Sequence, residues 1–183
     1  MTQNTALLVM DMQNGIVNGL DGKDKVIEAN RRAIEKARQQ DISVIFVRVA
    51  FSQGLLEIAP NNKMFGPMRE KQAPMEKDSE ATQIHADLNR QEHEPIVTKH
   101  RLSAFTGSNL EVLLRGLEVR HIVLTGVATS GVVLSTSVEA ADKDFDITIL
   151  EDAIGDKEQD KHEFLVERIL PRYATITDVE KWS

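Results

Sequence analysis

Short apolar segments alternate with amphipathic ones along most of this chain. Three of them are apolar almost throughout and rich in β-branched residues or leucine: 5 to 10 (TALLVM), 42 to 50 (ISVIFVRVA) and 121 to 126 (HIVLTG). This composition is typical of strands buried on both faces of a parallel sheet. Weaker strand candidates bring the predicted count to six, and they lie at 95 to 99, 146 to 150 and 174 to 177.

The segments between the strands favour helices. Residues 24 to 40 carry Val26, Ile27, Ala33 and Ile34 at helical spacing, with charges on the opposite face. Further helices are predicted at 109 to 117, at about 130 to 143 and at 157 to 170. Alternation of strand and helix indicates right-handed βαβ crossovers and an open parallel sheet.

Residues 51 to 80 break this alternation. They contain three of the five prolines and show no clear period. An irregular segment of this length inside a compact domain is usually a lid, a binding loop or an interface. With 183 residues and no sign of a second unit, we expect one domain over 1 to 183, with 51 to 80 as its loop or lid.

Composition excludes several classes of function. The net charge of −7 and the lack of long basic clusters argue against nucleic-acid or anionic-membrane partners, so a small-molecule partner is expected. Without cysteine, the chain has no disulfide, thiolate metal site or thiol nucleophile. The five histidines lack metal-ligand spacing, and no phosphate-binding glycine motif occurs, so we expect neither metal nor cofactor. The N-terminal residues resemble no export signal, which predicts a cytoplasmic protein.

Candidate chemistry lies just after the strands. In an open α/β sheet, ligands bind beyond the carboxyl ends of the strands, where the strand order reverses. Asp11 ends the first strand, and Gln13, two residues later, can lie on the same side. Lys99 and Arg101 follow the strand at 95 to 99, and Lys99 could neutralise Asp11. Alternatively, Asp11 only caps the next turn and the two form an ordinary charge pair.

The segment 126 to 136 (GVATSGVVLST) joins a strand to a helix. Main-chain amides at a helix N-terminus favour negative charge and could form an oxyanion hole. Its small residues could equally serve only to pack the helix closely on the sheet. Thr129 or Ser130 could act as a nucleophile activated by Asp11, but the sequence places no histidine beside them, and a helix N-cap is the simpler interpretation of either residue.

Four ordered motifs carry a resemblance to a known family. They are DMQ, TKHRLSAFTGSNLE, IVLTGVATSG and ILEDAIGD, and the resemblance covers the chain from about Thr5 to Trp182. With them the chain resembles the isochorismatase-like hydrolase superfamily, also called the cysteine hydrolase group. The resemblance implies a three-layer α-β-α, Rossmann-like fold with a six-stranded parallel sheet in the order 3-2-1-4-5-6. It also implies a homo-oligomer.

The resemblance assigns roles to individual positions. The family's catalytic aspartate falls on Asp11 and its catalytic lysine on Lys99, and the amides of the turn fall near Ala128 and Val132. The Val127 to Ala128 bond corresponds to the family's usual cis peptide. In the amidase branches, Val132 is the position of the nucleophilic cysteine. A valine methyl cannot attack a carbonyl, so the cysteine mechanism is excluded here.

Isochorismatases proper cleave a vinyl ether, which needs no nucleophile from the protein. By resemblance, Asp11 would protonate the vinyl carbon and Lys99 would hold the substrate. We therefore expect a hydrolase of a small anionic substrate, with further contacts from Gln13, Arg69, Arg101, Phe105 and Thr129. The arginines would pair with carboxylates and Phe105 would be an apolar wall, or simply core. The alternative is an inactive relative that serves as a ligand-binding or oligomeric scaffold.

Overall fold

The computed structural model describes residues 4 to 183 and contains one six-stranded parallel sheet. Its strand order is β3-β2-β1-β4-β5-β6, which confirms the predicted order. The strands are β1 (Thr5–Met10), β2 (Ser43–Val49), β3 (Ile96–Lys99), β4 (His121–Val127), β5 (Asp146–Gly155) and β6 (Thr175–Thr177). Each predicted strand is present, although β5 continues five residues beyond the predicted end at 150.

Helices cover both faces of the sheet. The α-helices of the described chain are α1 (Asn14–Val17), α2 (Lys23–Gln39), α3 (Gly66–Glu70), α4 (Leu110–Gly116), α5 (Leu134–Asp142) and α6 (Gln159–Phe164). Apolar residues of α2 and the C-terminal Trp182 form the core on one face. Residues of α4 and α5 and of the chain after α6 form the core on the other. The three-layer prediction is therefore confirmed. Among the described residues, none of the helices combines the length and hydrophobicity needed to cross a membrane.

Two helices differ from their predicted form. The helix expected from about 130 starts as a π-helical turn, Thr129–Val133, before α5. The helix expected over 157 to 170 divides into α6, a π-helical turn and the 3-10 turn Leu170–Arg172. Pro171 lies in that last turn, and a proline ring cannot continue an α-helix because it clashes with the carbonyl four residues earlier.

Strand β4 approaches β1 very closely where the strand order reverses. Met10 is the register partner of Gly126, whose φ is 114°. A Cβ atom at Gly126 would lie 1.9 Å from the carbonyl oxygen of Met10. No side chain fits in that space, so glycine is needed both for its backbone conformation and for the contact between the strands.

The segment 51 to 80 has a small core of its own. Phe51, Leu55, Ile58 and Phe65 are buried together with Val49 at the end of β2. The main chain of Phe51 also bonds to the far end of the segment, since its N–H donates to Met75 O at 2.8 Å. The segment is therefore folded against the end of β2 at both of its ends.

Candidate active site

Asp11 and Lys99 form a buried ion pair. Asp11 follows β1 with a φ of 53°, a left-handed conformation that aspartate adopts more readily than most residues. Lys99 is the last residue of β3, and its Nζ lies 2.9 Å from Asp11 Oδ2. The Asp11 side chain is 7% exposed and the Lys99 side chain is 1% exposed. Lys99 Nζ also donates to Arg101 O at 2.8 Å. The structure thus joins the two strand-end charges that the sequence singled out.

Burial makes the Asp11 carboxyl easier to protonate. Burial raises the pKa of Asp11, and the Lys99 charge and hydrogen bond offset only part of this effect. Among the described residues, Oδ1 of Asp11 has no hydrogen-bond partner although it is buried. A buried oxygen left in this way is costly unless a ligand or a proton satisfies it.

The pair lies in the wall of a cavity of about 360 Å³. Its lining comes from the carboxyl ends of the strands (here the sheet edge), from α1, from Leu102, from the turn after β4, from residues 51 to 80 (here the lid segment) and from the two residues after them. The lining residues are Asp11, Gln13, Gly15, Ile16, Val49, Met64, Phe65, Met68, Ala73, Pro74, Met75, Ala81, Thr82, Lys99, Leu102, Val127, Ala128, Gly131 and Val132. This volume lies within the range of small-molecule sites. The cavity sits at the carboxyl edge of the sheet, where an α/β fold of this order binds ligands.

The turn after β4 contributes Ala128, Gly131 and Val132 to the cavity. The Val127 to Ala128 peptide is cis, which confirms the expectation drawn from the resemblance. Val132, at the position that the resemblance gives to the cysteine, is 2% exposed and presents only methyl groups. The turn therefore offers backbone and apolar surface to a ligand.

Asp156, the residue directly after β5, caps this turn. Ser130 N–H donates to Asp156 Oδ2 at 2.8 Å, whereas the N-cap residue Ala128 has no side-chain cap bond. The expectation that Thr129 or Ser130 supplies the cap is therefore wrong. Partial burial opposes ionisation of Asp156, but hydrogen bonds from Ser130 and from main-chain amides lower its pKa below the ordinary value. Asp156 is thus held as a carboxylate behind the turn.

A histidine also contacts the turn. Thr129 Oγ1 lies 2.8 Å from His162 Nδ1, and His162 belongs to α6. The expectation that no histidine lies beside Thr129 is wrong, because the fold brings α6 back over the turn. Thr129 is fully buried and does not line the cavity. The threonine therefore links the turn to α6 and is not positioned to attack a ligand there.

Other predicted substrate contacts have different partners. Gln13 lines the cavity, but its Oε1 accepts from Val49 N–H at 2.9 Å and its Nε2 donates to Val49 O at 3.0 Å. Arg101 donates to Glu57 O at 2.9 Å and to His100 O, and Arg69 donates to Ile58 O. These three side chains are therefore bonded to main-chain groups of the protein.

Neither arginine is among the residues that line the cavity. Phe105 also lies outside it, in the sheet core, with its ring 5.9 Å from that of Phe145. Core packing, the simpler alternative for Phe105, is what the structure shows. The two guanidinium groups are therefore unavailable as carboxylate ligands in this arrangement.

Sequence reasoning missed the apolar wall of the cavity. The lid segment supplies Met64, Phe65, Met68, Pro74 and Met75 to it. These residues follow no helical or strand period, so periodicity does not identify them. One signal was available, since three of the six methionines of the chain fall within 51 to 80. Methionine adapts its shape and is frequent at binding surfaces.

Metal binding finds no support in the grouping of side chains. Within residues 4 to 183, no set of three or more His, Asp or Glu side chains is arranged to hold a metal ion. The polar chemistry of the cavity rests on Asp11 and Lys99.

Comparison with known proteins shows the family. The model of the isochorismatase domain matches residues 5 to 181. An uncharacterized isochorismatase family protein of Escherichia coli O157:H7 is 30% identical over 182 residues, which cover 98% of this chain and 94% of that protein. A probable inactive nicotinamidase of Arabidopsis thaliana is 32% identical over 160 residues, covering 82% and 80% of the two chains.

A solved structure agrees in fold. An isochorismatase family protein from Burkholderia thailandensis superposes with a TM-score of 0.84 at 27% identity, over 98% of this chain and 94% of that one. The match extends over nearly the full length of both chains and includes the sheet that carries Asp11 and Lys99. The chain therefore belongs to the isochorismatase family and has the hydrolase fold of that family.

Proposed function

We propose that this chain is a hydrolase that acts on a small anionic substrate without a covalent intermediate, with Asp11 as the general acid. One observation carries the proposal. The Asp11 carboxyl is buried in the cavity wall with a raised pKa, one oxygen on Lys99 and the other without a partner. A buried carboxyl with a raised pKa and one oxygen without a partner suits proton donation.

Enol-ether hydrolysis is the chemistry that fits these groups. The proton of Asp11 moves to the terminal vinyl carbon and leaves an oxocarbenium ion. Water adds to that cation and loses a proton to the Asp11 carboxylate, and the resulting hemiketal collapses to a carbonyl compound and an alcohol. Lys99 stabilises the carboxylate between the two proton transfers, because an opposite charge at 2.9 Å favours the ionised form.

This route agrees with the residue at position 132. By resemblance, Val132 stands where the amidases of the family have cysteine, and the chain has no cysteine elsewhere. A proton-transfer mechanism does not need a nucleophile from the protein, whereas amide hydrolysis by acyl transfer does. This route develops positive charge on the substrate, so it does not require the main-chain amides near Ala128 and Val132 as an oxyanion hole.

The test is turnover of enol ethers. Purified protein is incubated with isochorismate and with simpler alkyl enol ethers of pyruvate, and product is followed by mass spectrometry. We expect hydrolysis that Asp11→Asn lowers by at least about 10²-fold, the lower range for loss of a general acid. Full activity of Asp11→Asn, or no turnover of any enol ether by the wild type, would contradict the proposal.

A second candidate is binding without turnover. It is favoured by the absence of cysteine and by the similarity to a plant protein named as a probable inactive nicotinamidase. It predicts ligand-dependent thermal stabilisation with no product by mass spectrometry. Any turnover that Asp11→Ala abolishes would exclude it.

A further inference from the structure

Few polar side chains of the cavity are free for a ligand. Four polar side chains line it, and two of them are occupied. Both amide atoms of Gln13 bond to the main chain of Val49. The hydroxyl of Thr82 donates to Glu76 O at 2.8 Å. Within the described part of the chain, this leaves the Asp11 and Lys99 side chains to bind the polar part of a ligand.

These two side chains offer one compact polar position. A lysine ammonium has three N–H donors, and those of Lys99 serve Asp11 and Arg101 O with one left over. Asp11 adds its buried and unpartnered Oδ1. With Asp11 protonated, as in the proposed function, Lys99 supplies one positive charge, and no further cationic side chain lines the cavity among the described residues. One carboxylate or carbonyl group can be accommodated there.

The remaining wall is apolar. Met64, Met68 and Met75 contribute thioether side chains, and Phe65 and Pro74 contribute rings. Arg69 and Arg101, the cations of the surrounding chain that the sequence pointed to, are used on main-chain carbonyls. A charged group placed against this wall would lose its hydration without gaining a counter-ion.

We propose that the cavity selects a compact apolar molecule with a single carboxylate, held by Lys99 and Asp11, and discriminates against dicarboxylates such as isochorismate. The proposal rests on the proposed function in taking this cavity as the substrate site, and it narrows the substrate class to apolar monocarboxylates. The volume of about 360 Å³ suits a small molecule of this kind.

Hexanoate and adipate test this selection, because they share a six-carbon chain and differ by one carboxylate. Binding to the wild type is measured by isothermal titration calorimetry, with thermal stabilisation as a second readout. We expect hexanoate to bind at least about tenfold more tightly than adipate, a preference of about 1.4 kcal/mol. Equal or tighter binding of adipate, or no binding of hexanoate at millimolar concentration, overturns the proposal.

A charge placed in the wall should reverse the selection. Met68→Lys adds an ammonium beside the cavity, so we expect adipate affinity to rise about tenfold relative to hexanoate. Met64→Lys is the second variant, since Met64 is 51% exposed and tolerates a charge if Met68→Lys fails to fold. Leu56→Lys is the matched control, because Leu56 is 69% exposed in the same segment and does not line the cavity. An unchanged ratio in both methionine variants, or the same change in the control, contradicts the proposal.

The readout separates this proposal from the proposed function. If the wild type hydrolyses no enol ether but binds hexanoate more tightly than adipate, the proposed hydrolase activity is contradicted and the proposed ligand class is supported. If turnover depends on Asp11 but adipate binds more tightly than hexanoate, the hydrolase proposal is supported and the proposed ligand class is contradicted.

Discussion

The sheet edge and the lid segment build the same cavity in different ways. At the sheet edge, Asp11, Lys99 and the turn after Gly126 are held by strand register, by the buried ion pair and by a backbone contact that admits no side chain. The lid segment, 51 to 80, supplies six lining residues from a stretch with little regular structure. Under the two proposals above, the sheet edge holds the reactive groups and the lid segment determines which ligands bind.

The strongest test of this division is the substitution Gly126→Ala. A methyl group would lie 1.9 Å from Met10 O, and the φ of 114° is unfavourable for any residue with a Cβ. We expect a loss of more than about 4 kcal/mol in the free energy of unfolding, or failure to fold. Urea denaturation of the variant measures it.

Gly116→Ala is the control for that substitution. Gly116 ends α4, and a Cβ there meets no atom within 4 Å. Alanine is the better helix former, so this variant should be unchanged or up to about 1 kcal/mol more stable. A similar loss in both variants would show that general sensitivity to alanine, and not the contact between β1 and β4, limits stability.

The next largest effect is expected from Lys99→Met. Removing Lys99 leaves Asp11 buried without its partner, and breaking a buried pair in this way costs about 3 to 5 kcal/mol when the remaining group stays charged. The pKa of Asp11 is raised by burial already, and loss of Lys99 removes the influence that lowers it. A carboxyl whose pKa is higher in the folded chain than in the unfolded chain contributes its full stability below the unfolded-state pKa. This contribution is lost as the pH rises through the folded-state pKa.

The destabilisation by Lys99→Met should therefore grow with pH. Urea denaturation at pH 5 and pH 8 measures it, and the double variant Asp11→Asn, Lys99→Met should remove most of the pH dependence. A loss that is the same at both pH values, or one that the double variant leaves unchanged, would mean that Lys99 stabilises the sheet edge by packing alone.

The sequence predicted the sheet edge well because the signals there are local. Buried strands are marked by continuous apolar runs, and a charge at the end of such a run is conspicuous, as with Asp11 and Lys99. Residues that act across the fold were not predicted. Asp156 and His162 reach the turn only after β5 and α6 have packed, and no spacing in the sequence marks their contacts.

Dependence on tertiary structure also explains why the contacts of the two arginines and of the lid segment were not predicted. Arg69 and Arg101 are cations near the expected site, but whether a guanidinium meets a ligand or a main-chain carbonyl depends on tertiary structure. The lid packs around Phe51 and Phe65 through contacts distant in sequence. Secondary-structure periodicity therefore identifies the groups that carry charge at the cavity but not the apolar surface around them.

A smaller effect is expected from Asp156→Ala, which removes the acceptor for Ser130 N–H at the start of the turn. Loss of a cap of this kind costs about 1 kcal/mol. Because the pKa of Asp156 is lowered in the folded chain, its contribution is present above the unfolded pKa and is lost as pH falls through the folded value. Wild type and variant should therefore differ at pH 7 and converge in acid, as measured by urea denaturation from pH 7 to pH 3. A constant difference would assign the effect to packing.

The smallest effect on stability is expected in the lid, from Met64→Gln. Met64 is 51% exposed, so the substitution should change the free energy of unfolding by less than about 0.5 kcal/mol. Met64 also lines the cavity, and replacing the thioether with an amide should weaken hexanoate binding about threefold, since part of the apolar contact is lost. Leu56→Gln, exposed in the same segment but outside the cavity, should alter neither quantity. If Met64→Gln lowers stability by more than about 1 kcal/mol, the lid stabilises the fold as the sheet edge does, and a division between a rigid reactive edge and a selective lid does not hold.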